Sequence, residues 1–229
     1  MLNDAQGVGE PDPITPDIVI KAYASGIFPM AEDRGDGELF WLDPDQRGIV
    51  PLDRFHIPGS LAKRIRQQPF VVRVDSAFDE VVKGCAQSRS GRETTWISHR
   101  IQDIFTRLHR RGHAHSVECW QGDDLVGGLY GLALKGAFFG ESMFHTKRDA
   151  SKVALVYLVA RLRAGGFTLL DTQFVTPHLA RFGALEIPRG EYQARLRDAM
   201  MREADFTRLD RQPDADDPSA ILHLSTHTS

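Results

Sequence analysis

The sequence predicts an α+β fold: a small N-terminal α/β lobe, then a larger domain with a mixed, largely antiparallel sheet flanked by helices. Three observations carry this. HSVECW, LVGGLYGLAL and AFFGESMF are strand-like runs joined by QGDD and KG, turns that suit antiparallel hairpins. Helical patterns precede and follow them, and FTLLDTQF then adds a strand beyond the last long helix, which makes the sheet mixed. The first third of the chain has short elements punctuated by Pro and Gly.

The elements follow in order. Residues 1–13 read as a loose, disordered tail. TPDIVIKAYASG has Thr15 as N-cap, Pro16 at the first helical position and Gly26 just past the end. Short strands are expected around Phe40–Leu42 and Gly48–Pro51, and a helix opens near Ser60. The small N-terminal domain is set at 14–60. From 61 to 204 the elements lengthen: VVRV is a strand, Asp75 caps a helix over AFDEVVKGC, and Ser98 caps HRIQDIFTRLHRRG, stopped by Gly112. After the three-strand meander comes DASKVALVYLVARLRAGG, a helix closed by a glycine pair. Helices near 176–182 and 189–201 complete the domain, whose order resembles N-acetyltransferase-type folds. The acidic, Pro-containing stretch 205–229 reads as a flexible tail.

Composition narrows the function classes. The chain has 229 residues, 41% hydrophobic and 26% charged, enough for a sizeable core. No apolar run approaches the ~20 residues that span a bilayer. The N-terminus is acidic and polar, unlike a secretory signal, and Cys85 and Cys119 give no disulfide framework, which fits a reducing cytoplasm. A net charge of −3 argues against duplex binding over a whole basic face. Local basic clusters remain, among them Lys63, Arg64 and Arg66, although such runs commonly just solvate a helix end.

The chemistry gathers at LLDTQF. A strand that only filled a core would stay apolar, yet Asp171 and Gln173 stand two apart, on one face by the strand period. In FFGESMF the same period puts Phe138, Gly140, Ser142 and Phe144 on one face and Phe139, Glu141 and Met143 on the other. Glu141 is thus an acid among large apolar residues, with an exposed strand glutamate as the competing reading. Ser142 lacks the second glycine of a nucleophile elbow. His113, His115 and Glu118 read as hydrogen-bonded strand residues, and no metal is expected. A site without its own nucleophile suits direct transfer from an activated ester to an amine. Gln173 would accept a hydrogen bond from the amine, and Asp171 would orient that amide. A strand end feeding a helix near Thr176 competes with this reading.

GIFPM, FWLDPDQRGIVPL, TWIS, LHRRGHAHSVECW, LVGGLYGLALKGAFFGESMF, ASKVAL, LLDTQF and HLARFGALEIPR, in that order, closely resemble the leucyl/phenylalanyl-tRNA–protein transferase family. The resemblance implies an acetyltransferase-like catalytic domain. It also implies transfer of leucine or phenylalanine, with methionine a third candidate, from aminoacyl-tRNA to an N-terminal Arg or Lys. That transfer marks the acceptor for N-end rule degradation, without cofactor, metal or membrane. It assigns Asp171 and Gln173 to the catalytic relay and Glu141 to an active-site acid. Trp96, Phe105, Leu129, Phe138, Leu155, Leu158, Leu170 and Thr176 go to the aminoacyl group and terminal adenosine. Phe105, Met30 and Thr176 depart from the tyrosine, tryptophan and asparagine of other members. Lys63, Arg64 and Arg66 are the expected tRNA contacts. An acyl-CoA-dependent N-acyltransferase and a non-catalytic RNA or N-degron binding module are the alternatives.

Overall fold

The computed structural model describes residues 14–31, 39–87 and 95–226. The tail expected at 1–13 lies outside the described residues. Helix α1 (Pro16–Ala24) starts where its cap chemistry demands: Thr15 Oγ1 accepts from the Ile18 N–H, and Gly26 turns the chain at φ +86°. Strands β1 (Phe28–Ala31) and β2 (Leu39–Leu42) form a two-stranded antiparallel ribbon. The chain then contributes β3 (Gln46–Ile49) to the main sheet, so the boundary expected near residue 60 falls after the chain has already joined it.

The other strands of that sheet are β4 (Val71–Val74), β5 (Ala114–Gln121), β6 (Asp124–Leu134), β7 (Ala137–His145), β8 (Leu169–Gln173) and β9 (Leu185–Pro188). Their spatial order is β4-β5-β6-β7-β8-β3-β9. Every neighbouring pair is antiparallel except β7 and β8, which run parallel. The crossover between those two is α5 (Ala150–Ala164), closed by Gly165 and Gly166, the latter at φ +82°. This is the mixed, largely antiparallel sheet the sequence predicts. On one side α5, α2 (Gly59–Arg66) and α8 (Pro218–Thr226) cover the core around Val156, Val159 and Phe182. On the other, α1, α3 (Phe78–Ala86), α4 (His99–Arg110) and α7 (Arg189–Met200) cover the core around Tyr23, Phe105 and Tyr130.

Two expectations are corrected. Asp75 does not cap α3: its backbone is left-handed (φ +55°), and its carboxylate takes the Ser116 N–H and His115 Nδ1. The buried Glu118 accepts the first N–H of that turn, from Ala77, together with bonds from Ser76, Ser116 and Trp120. His115 and Glu118 are thereby committed to hydrogen bonds. Second, residues 205–226 are not a loose tail. Phe206, Leu209, Ile221 and Leu222 are buried, and Arg161 holds the segment through the Phe206 carbonyl and Asp210, each at 2.9 Å. The acidic run hides an amphipathic helix that begins at Pro218 and sets Ile221, Leu222 and Ser225 inward.

Candidate active site

The parallel pair β7–β8 holds for three positions, ending at Phe139↔Asp171. Glu141 and Gln173 lie just past that end, and both sit at irregularities. Against β6 the register passes from Gly131↔Gly140 to Tyr130↔Ser142, so Glu141 is the extra residue of a bulge. Against β3 it passes from Ile49↔Asp171 to Gly48↔Gln173, so Thr172 is extra, and Gln173 is left-handed at φ +57°. Gly48 is required here, because a Cβ on it would stand 2.6 Å from the Phe174 carbonyl carbon.

The bulges correct the predicted faces. Phe138 joins the α5 core and Phe144 the α3–α4 core, although strict alternation puts them together. Asp171 and Gln173 part in the same way: Asp171 is sealed from solvent, whereas Gln173 lines a cavity.

On the sealed side Asp171 is 0% exposed and Arg47 1%. Arg47 donates from Nη2 to Oδ2 at 2.7 Å and from Nε to Oδ1 at 3.0 Å, and its Nη1 donates to the Gly26 carbonyl at 2.9 Å. The guanidinium lies over the rings of Phe28 (4.4 Å) and Tyr192 (4.5 Å). Burial opposes its charge, but pairing with Asp171 prevails and raises its pKa. The Tyr192 hydroxyl donates to Oδ2 at 2.6 Å, and burial followed by Asp171 keeps that phenol protonated. Asp171 also receives the main-chain N–H of Gln173 at 2.7 Å. It therefore fixes the backbone turn that presents Gln173, rather than the side-chain amide as expected from the sequence.

The open side is a cavity of about 300 Å³. Its apolar wall includes Trp96, Leu129, Leu155, Leu158 and Leu170, and its polar end holds Glu141 and Gln173. Glu141 Oε1 accepts from the Tyr23 hydroxyl at 2.8 Å and from Gln173 Nε2 at 3.4 Å. With its amide nitrogen turned to Glu141, Gln173 keeps its carbonyl oxygen as acceptor. Burial pushes the Glu141 carboxyl up to about 8; the Tyr23 hydrogen bond pulls the other way, Asp171 adds to the rise and Arg47 opposes it. An entering cation would favour the ionised form.

Of the residues expected at the site, Glu141, Gln173, Trp96, Leu129, Leu155, Leu158, Leu170 and Thr176 meet at this cavity. Thr176 also caps α6 (Pro177–Ala180) by accepting the Leu179 N–H. Asp171, Phe105 and Phe138 do not line it. Phe105 packs edge-on behind Tyr130 at 5.3 Å, and Phe138 stacks on Phe206 at 5.6 Å. Sequence reasoning missed Arg47, Tyr23 and Tyr192; their pairing with residues far along the chain leaves no local pattern. Phe174 and His178 join the lining unannounced, and Met30, noted above only as a departure from the tryptophan of other members, lines it too. The basic triplet divides: Lys63 and Arg64 line a groove with Arg148, Lys152 and Arg181, whereas Arg66 lines a separate one beside α8.

Among the described residues no group of three or more His, Cys, Asp or Glu could hold a metal ion, and no helix is long and apolar enough to cross a membrane.

Comparison with known proteins gives one family. A model described as "Leucyl/phenylalanyl-tRNA protein transferase" matches residues 49–197, and one for the N-terminal domain of that transferase matches 12–45. Proteins named leucyl/phenylalanyl-tRNA–protein transferase are similar. The one from Nitrobacter winogradskyi is 59% identical over 86% of this chain and 87% of its own. Those from Caulobacter vibrioides and Phenylobacterium zucineum are 60% identical over 85% and 90%, and 56% over 92% and 96%, respectively. A solved structure titled "The structure of L-PGS from Bacillus licheniformis" aligns with 67% of this chain and 51% of that one. Its identity is 16% and its TM-score 0.40, a likeness too slight to add to the fold described above.

Proposed function

The chain belongs to the leucyl/phenylalanyl-tRNA protein transferase family and is an aminoacyltransferase, and from that premise we propose its chemistry. It moves leucine or phenylalanine, with methionine as a third donor, from aminoacyl-tRNA to the N-terminal Arg or Lys of acceptor proteins in the cytoplasm. The product is an N-end rule degradation signal. The observation that carries this reading is the junction of an apolar cavity with a Gln–Glu pair at the end of the β7–β8 split.

The cavity receives the amino-acid side chain. Its volume of about 300 Å³ lies at the small end of ligand sites, ~300–1,000 Å³. Apolar walls reject polar side chains and separate leucine from phenylalanine weakly. The ester is already activated and an α-amine titrates near ~7.7–8.0, so little base strength is needed. The amine nitrogen attacks the ester carbonyl carbon. The bond to the ribose oxygen breaks, and that oxygen leaves with the proton given up by nitrogen. Gln173 Oε1 accepts the N–H of the attacking amine and steers it. Asp171, held by Arg47 and Tyr192, keeps Gln173 in its left-handed turn. Glu141 faces the acceptor's basic side chain, and the cation's arrival favours the ionised carboxylate. Much of the rate comes from alignment of the two substrates.

Lys63 and Arg64 are the first tRNA contacts on this reading, and binding weakens with salt. The test mixes the protein with radiolabelled Phe-tRNA and a peptide that starts with Arg. Labelled peptide is expected, and none from a peptide that starts with Asp. No product at micromolar enzyme rejects the transferase reading. Product from acetyl-CoA, or binding of both substrates without turnover, would favour the acyl-CoA enzyme or the binding module instead.

A further inference from the structure

His178 stands between two features that nothing above connects. It lines the aminoacyl cavity, and its ring meets Phe182 edge-on at 5.4 Å. Phe182 in turn lines the groove that holds Lys63, Arg64, Arg148, Lys152 and Arg181. That groove carries these five cations against one carboxylate, Asp149. Lys152 pairs with Asp149 at 2.7 Å and Arg148 lies 3.6 Å from it, which leaves a clear positive excess. His178 Nε2 is buried and has no hydrogen-bond partner among the described residues. A buried polar atom without a partner is costly, and in a binding wall it marks a place that a ligand fills. Burial, and then the charges of Lys152, His145 and Arg181, hold its pKa below the ordinary histidine value. A neutral imidazole follows, able to donate or accept one hydrogen bond from that nitrogen according to tautomer.

We propose that His178 Nε2 hydrogen-bonds a hydroxyl of the terminal ribose of the aminoacyl-RNA, and that the preceding backbone phosphates run past Phe182 into the groove of Arg148, Lys152 and Arg181. The inference rests on the transferase reading and adds a path to it: aminoacyl group in the cavity, ribose at His178, phosphates in the groove. Both halves come from the same adjacency. An ester-linked amino acid places its ribose at the cavity mouth, and the next group along the RNA is an anion. Charge in the groove is then a contact for phosphate and carries no base information.

The experiment uses two donors, full Phe-tRNA and the minimal 3′-O-phenylalanyl-adenosine, which keeps the ribose and lacks every phosphate. His178→Ala is expected to lower kcat/KM about tenfold on both donors, the ratio expected for one lost hydrogen bond. His178→Gln, which returns a polar atom near the Nε2 position, is expected to recover most of that loss. Should His178→Ala fail to fold, His178→Asn, whose amide stops short of that position, is expected to show the same tenfold fall. Arg181→Ala is expected to leave the minimal donor unchanged. It should weaken Phe-tRNA several-fold and make the log–log salt slope shallower by about one. His178→Ala or His178→Asn within twofold of wild type on the minimal donor would overturn the ribose contact. Equal slowing of both donors by Arg181→Ala would overturn the phosphate path. Either result with an active wild type leaves the transferase reading standing; a wild type inactive on Phe-tRNA removes that reading, and the inference with it.

Discussion

Two carboxylates flank the point where β7 and β8 part; each accepts from a tyrosine hydroxyl and from Gln173, yet one is sealed and ion-paired and the other is open. Asp171 is sealed, ion-paired to Arg47 and bonded by Tyr192 and the Gln173 main chain. Glu141 opens onto the cavity with one tyrosine hydroxyl and one amide for company. The contrast separates two jobs that a motif read along one strand merges. A carboxylate whose oxygens all face fixed donors holds geometry. One with capacity left over can meet a substrate's charge.

The largest effect should come from breaking the sealed side. Arg47→Ala strands a buried carboxylate, which costs about 3–5 kcal/mol of stability. Urea unfolding measures it, and a loss under 1 kcal/mol would mean that the pair is solvated and the contrast false. Asp171→Ala strands Arg47 in the same way, so its low activity would reflect a displaced Gln173 as well as lost chemistry.

The open side should show itself through pH. The folded Glu141 titrates near 8, well above its ordinary 4.5, so between those values the folded chain holds a proton that the unfolded chain has lost. Its stabilising contribution is complete below about pH 4.5 and disappears as pH rises through about 8. Glu141→Gln removes that dependence, so the variant should gain on wild type from pH 5 to pH 9 in parallel unfolding curves. Parallel pH profiles for the two proteins would place Glu141 in water and undo the comparison.

The smallest effect sharpens the boundary of the site. Phe105→Leu should cost ~1–2 kcal/mol of stability, because the ring is fully buried against Tyr130. Transfer rates should stay within twofold, since Tyr130, not Phe105, meets the cavity. A tenfold change in donor preference would extend the site to that second layer.

What the sequence discloses follows from how far each determinant reaches. Thr15, Pro16 and Gly26 bound α1, and Ser98 and Gly112 bound α4, because caps act within one turn. The meander was legible for the same reason, with Gly122 and Lys135 at positive φ in its two turns. Bulges were not. Whether Glu141 or Thr172 is the extra residue depends on the partner strands, β6 and β3, and period-two reasoning fails there on both sides of the site. The Arg47–Asp171 pair spans 124 residues and left no pattern to find. Composition misled at the C-terminus: the acids of 210–217 drew attention from the apolar spacing of Ile221 and Leu222 behind them. Glu141 and Gln173 were found by their unexpected polarity, which survives the error in their facing.

The division between a sealed scaffold and an open reacting pair is tested most directly by Gln173→Ala in single-turnover transfer, with Phe-tRNA prebound and an Arg-peptide in excess. The account predicts a fall of about a hundredfold in rate with Phe-tRNA affinity and unfolding free energy nearly unchanged. A rate within threefold of wild type would contradict it.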